Sequence, residues 1–128
     1  MWDNSLRGAL AEHLVPLLPA GWKFIPNQRV PETLNQITVV LKYVSLERLQ
    51  EAPKRHLSNR LILTIATPLG DTALAENELD DAVIELTSAL DENNRITWTK
   101  ADKVLVNDRY LGWDISLTMT SQPTKELT

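Results

Sequence analysis

The residues able to carry chemistry are few and scattered. The two histidines, His13 and His56, lie far apart in the chain. Neither belongs to an H-x-x-x-H or H-E-x-x-H pattern, so a metal site would have to gather its ligands from distant segments. The chain holds no Cys, which removes thiolate ligands, thiol nucleophiles, iron–sulfur clusters and disulfides together. Ser5, Ser45, Ser58, Ser88, Ser116 and Ser121 never occur in a G-x-S-x-G elbow. Gly8, Gly21, Gly70 and Gly112 are isolated, so no glycine-rich loop can cradle a phosphate. Triads assemble in space and not in order, but only two histidines are available to them. His13 reads as a helix residue at the edge of the core and His56 as a surface-loop residue. The expectation is a protein without catalytic residues, metal or cofactor.

Charge offers more than nucleophiles do. Residues 71–92 carry Asp71, Glu76, Glu78, Asp80, Asp81, Glu85, Asp91 and Glu92 with no Lys or Arg. Closely spaced carboxylates can bind divalent cations, but no glycine-centred loop is present to wrap these around an ion. On a helix Glu76 and Asp80 share a face, as do Glu78 and Asp81, and both pairs are expected to be exposed. They read as a solvated helix start or as an acidic docking patch. The opposite sign gathers at Arg48, Lys54, Arg55, His56 and Arg60, expected on one long loop. That stretch reads as an ordinary polar loop, as a protein interface or, less well, as a contact for a nucleic-acid backbone, for which Tyr43 is the one nearby stacking aromatic. Trp2 and Trp22 complete the interface candidates: either caps the core or, if exposed near a terminus, marks a binding hot spot.

These groups must be positioned by elements that the periodicity locates. Asp3 or Asn4 can cap a helix over about 4–17, with an apolar stripe at Leu6, Leu10, Leu14 and Leu17. Pro16 disturbs its last turn and Pro19-Ala20-Gly21 ends it. A short extended segment at 21–26 follows. Residues 37–46 alternate as a strand, and so do 60–67, separated by the polar stretch 47–56. From about 73–76 to 91 the period changes, and Leu79, Val83, Leu86 and Leu90 form a helical stripe. Glu76, Glu78, Asp80 and Asp81 lie near that helix start, where the dipole favours them. Residues 96–99 and 103–106 read as one strand interrupted near 101–102, and 111–120 as a last strand facing Trp113, Ile115, Leu117 and Met119 inward.

The order α-β-β-β-α-β-β predicts an α+β fold: a mixed, largely antiparallel sheet of four to five strands with both helices on one face. The other face would show Thr38, Val40, Lys42, Val44, Thr64, Ser116 and Thr118. It carries little charge and suits solvation and packing against another subunit equally. One domain over 1–120 and a frayed polar tail over 121–128 account for the 128 residues. The formal charge of −4 argues against a protein whose main task is gripping phosphate backbones. No apolar run approaches a membrane span, and residues 1–5 lack the pattern of a signal peptide.

The order and content of these elements resemble the tail terminator proteins of long-tailed bacteriophages, also called minor tail proteins. The resemblance runs through Gly21-Trp22-Lys23, the central hairpin and the Pro68-Gly70-Asp71 loop. It continues through the Leu79-Asp80 helix, Trp98-Thr99-Lys100-Ala101, and the strand entry Tyr110-Leu111-Gly112-Trp113. It implies a virion protein made in the host cytoplasm and placed at the neck-proximal end of the tail. Such a protein forms a ring, usually a hexamer, that caps the tail-tube protein and stops its polymerisation. The ring's other side docks the head-completion or neck protein, and DNA passes through without sequence-specific binding. Another head-tail joining ring, or a small nucleic-acid-binding or regulatory domain using the 48–60 segment, are the alternatives.

Overall fold

A computed structural model describes residues 6–26, 33–48, 57–68, 73–92 and 96–121. Helix α1 spans Leu6–Leu14 and tightens into a 3-10 turn over Val15–Leu17. Pro16 causes the change: its ring clashes with an α-helical continuation, whereas a short terminal turn accommodates it. Strand β1 is Lys23–Ile25, β2 Thr38–Arg48, β3 Leu57–Ala66, helix α2 Ala73–Leu90, β4 Ile96–Val106 and β5 Tyr110–Ser121. The five strands form one sheet in the order β1-β2-β3-β5-β4. Strand β1 runs parallel to β2, and the other three pairs are antiparallel. This is the mixed, largely antiparallel α+β architecture that the periodicity predicts, with both helices on one face.

The core lies between that face and the helices. Val39 and Leu41 of β2, Leu61, Leu63 and Ile65 of β3, and Ile115, Leu117 and Met119 of β5 are buried beneath Leu10 and Leu14 of α1 and Leu79, Leu86 and Leu90 of α2. Each such Leu, fully withdrawn from water, contributes about 1.5–3 kcal/mol before entropy is charged. Position is fixed by register: Val39, Ile65 and Trp113 form one row across the sheet, and Leu41, Leu63, Ile115 and Ala101 the next.

Three boundaries differ from the sequence reading. Strand β2 runs two residues into the polar stretch, through Arg48, and β3 begins at Leu57, directly after it. A register shift between Tyr43 and Ser45 breaks the alternation before this end, and Val44 and Leu46 are exposed. The irregularity in β4 falls between Trp98 and Lys100, ahead of the predicted place, and β2 has one between Tyr43 and Ser45 that the pattern does not announce. Strand β5 includes Ser121, one residue beyond the expected domain end. The turn 107–109 holds two successive left-handed residues, Asn107 (φ 52°) and Asp108 (φ 60°), residue types that tolerate this region.

The second sheet face is not uniformly open. Thr38, Val40 and Thr64 are buried, because Leu34 folds over them and packs with Ala66, Val106 and Tyr110 in a small second core. The Tyr110 hydroxyl accepts a hydrogen bond from the Leu34 N–H at 3.3 Å. This end is sealed tightly enough to leave no space for a water molecule. What remains open is the half nearer the hairpin arm, around Lys42, Val44, Arg60, Ile62, Ser116 and Thr118.

Candidate functional site

Helix α2 meets the sheet along β4 and β5, and its first acids divide there by helical angle. Glu76 and Asp80, one turn apart, flank the buried stripe and reach the β4 side. Lys103 Nζ lies 2.7 Å from Glu76 Oε1 and 3.6 Å from Asp80 Oδ1. The Trp113 indole N–H donates to Asp80 Oδ1 at 3.1 Å, and the Lys103 ammonium stands 5.6 Å from the Trp113 ring centroid. The hydrogen bond to Glu76, aided by the nearby Asp80 charge, holds the Lys103 pKa above the ordinary lysine range, against some desolvation. Glu76, exposed as expected, and Asp80, half-buried, are therefore tethers that fix α2 to the sheet. At the other end of α2, Asp91 accepts from the Trp98 indole N–H at 2.9 Å. That contact explains a carboxylate placed where the helix dipole disfavours it.

Glu78 and Asp81 behave differently. Both are exposed, and neither has an ion-pair partner among the described residues. With Leu74, Asn77, Ile84, Glu85 and Ser88 they occupy successive positions three or four apart, so they line the outer face of α2. Leu74 is 71% exposed and Ile84 65%. Ile84 falls off the apolar stripe of 79, 83, 86 and 90, a signal present in the sequence.

Two members of the predicted basic patch, Arg48 and Arg60, fall among the described residues. Arg60 lies within β3, exposed on the open sheet face, in register with Ser45 and Thr118. Arg48 ends β2. Trp2, Lys54, Arg55 and His56 lie outside the described residues, as does the predicted tail from 122. Trp22 is half-buried and packs against the main core, so it closes the core instead of offering a hot spot. His13 is exposed on α1.

Two further polar constructions carry structure, not chemistry. Arg7 Nη1 donates to the Pro26 carbonyl at 2.8 Å and to the Leu41 carbonyl at 3.1 Å. Pairing of β1 with β2 ends at Ile25 and Val40, so the guanidinium satisfies the strand carbonyl one residue beyond. Beneath it the Tyr43 hydroxyl donates to Asn59 Oδ1, and Asn59 Nδ2 donates to the Met119 carbonyl at 2.8 Å. Burial pushes the Tyr43 hydroxyl above the ordinary phenol range, opposed in part by the Arg7 charge. No positional pattern marks Arg7 or Asn59 in the sequence, since their partners are distant in the chain.

The open half of the sheet face forms a shallow concavity of about 110 Å³ lined by Val44, Arg60, Ile62, Thr99, Ser116 and Thr118. Its polar side chains are the hydroxyls of Thr99, Ser116 and Thr118 and the Arg60 guanidinium. Among the described residues no group of three or more His, Cys, Asp or Glu is placed to hold a metal. No helix there is long and apolar enough to cross a membrane. What the arrangement can do is bind: an acidic, apolar helix strip on one side and a cationic, apolar sheet concavity on the other. No protein-family model matches the chain, and no curated relative does either.

Proposed function

We propose that this chain is a non-catalytic structural subunit of a bacteriophage tail. In this reading it is a terminator whose ring caps the tail tube, stops its polymerisation, and docks the head-completion or neck protein. The observation that carries the assembling part is the division of side chains. Internal tethers take up Glu76, Asp80, Asp91, Lys103 and Arg7, while Val44, Leu46, Leu74, Ile84 and Leu105 remain more than half exposed. Large apolar side chains beside uncommitted charges suit a surface that is covered on assembly. The tail assignment itself is supported by the resemblance carried by Leu79-Asp80, Trp98-Thr99-Lys100-Ala101 and Tyr110-Leu111-Gly112-Trp113. The acidic balance of the chain fits a ring through which DNA passes without being held.

The test is tube growth. Added to polymerising tail-tube protein, the full chain is expected to stop elongation and leave short tubes with density at one end. Tubes that grow to the same length with and without it would refute the terminator reading. A gel shift of duplex DNA at physiological salt separates the nucleic-acid reading, for which binding would have to be appreciable.

A further inference from the structure

We infer that the subunits of this assembly meet head to tail, the outer face of α2 on one copy seating in the open sheet concavity of the next. The inference rests on the assembly reading above and supplies its contact. Three observations converge on a second copy as the occupant. The first is charge. Glu78, Asp81 and Glu85 point outward on α2, and Lys42 and Arg60 stand on the concave face. None of the five has an ion-pair partner among the described residues.

The second is apolar match. Ile84 sits among the three acids, 65% exposed, and Val44 and Ile62 sit beside the two cations, Val44 being 52% exposed. A convex helix ridge presenting Ile84 fits a concavity floored by short hydroxyl residues, Thr99, Ser116 and Thr118. The third is placement. The helix strip lies on the helix-covered side of the sheet and the concavity on the opposite side, so one copy cannot satisfy itself. Two unlike patches on opposite sides make a heterologous contact, which closes into a ring or continues as a filament according to its rotation.

The chain lacks cysteine, so engineered thiols report the contact alone. Ile84→Cys and Val44→Cys chains, mixed at about 1 mM, where a contact with a millimolar Kd is half-formed, are joined by a short bifunctional maleimide. The mixture is expected to cross-link at least about tenfold faster than either variant alone, as a tenfold population difference requires. Equal rates in all three samples would overturn the inference, and faster reaction in a single variant would replace it with a two-fold contact.

Charge exchange gives the second arm. One variant carries Glu78→Lys with Asp81→Lys, the other Lys42→Glu with Arg60→Glu, both checked for folding by circular dichroism. Each alone opposes like charges and should lose association. Mixed one to one, every contact of an alternating assembly is complementary again, so association should return. Association unchanged in either variant, or absent from the mixture, overturns the contact. If the chain caps tubes but shows no preferential cross-link, the terminator reading stands and this contact falls. Preferential cross-linking without capping has the reverse meaning.

Discussion

At the scale of single residues, Gly112 shows how little freedom the sheet leaves. A Cβ there would stand 2.8 Å from Val106 Cγ2 and 2.9 Å from the Ile65 carbonyl oxygen. The carbonyl belongs to the neighbouring strand and cannot swing away as a side chain can. Gly112→Ala is therefore expected to destabilise the fold by about 1–3 kcal/mol, the range for overpacking, read as a lower denaturant midpoint. Tyr43 makes a pH-dependent prediction. Its folded-state pKa is raised mainly by burial, so the native state keeps a proton that the unfolded chain releases above about pH 10. Stability is thus undiminished below that pH and falls as pH climbs towards the folded value. Tyr43→Phe should flatten this alkaline decline while retaining the ring, and a decline of the same slope would contradict the assignment. Asn59→Ala should cost about 1–3 kcal/mol at neutral pH, because it removes the acceptor of the Tyr43 hydroxyl and the buried donor to the Met119 carbonyl.

Among the elements, α2 has the double task of closing the core and presenting a surface, and the two tasks divide by helical angle. Ala75, Leu79, Ala82, Val83, Leu86 and Leu90 face inward, Glu76 and Asp80 hold the flank to β4, and Glu78, Asp81 and Glu85 face out. The apolar stripe was legible because 3.6-residue periodicity needs no tertiary knowledge. The tethering of Glu76 and Asp80 was not, because it depends on Lys103 and Trp113, whose nearness follows only from how β4 pairs β5 and α2 crosses them. Leu34 was hidden for the same reason: its N–H partner, Tyr110, is remote in sequence. The last residues of the β2–β3 pair were missed because the register shift after Tyr43 breaks the alternation. Trp113→Phe removes the indole donor to Asp80 and is expected to cost about 1 kcal/mol. Amide exchange along α2 should speed up more than exchange in β2. Lys103→Met should alter the salt dependence of stability more than its value in high salt.

For the whole molecule, the α+β architecture follows from element order and one-sided apolar faces, and that much the chain announces. The surfaces are another matter. Of the predicted basic patch, Arg48 and Arg60 are strand positions and residues 49–56 lie outside the described part. The predicted open sheet face became a half-face, the other half closed by Leu34, Val106 and Tyr110. What survived these corrections is narrower: an outward strip of α2 and a small concavity opposite it. In the proposed assembly both are surfaces for a partner, and the exposure of Ile84 and Val44 supports that reading. The most direct measurement is electron microscopy of the purified full chain mixed with tail tubes. The account predicts closed rings seated on one end of each tube. Bare tube ends, with the chain dispersed as single subunits, would contradict it.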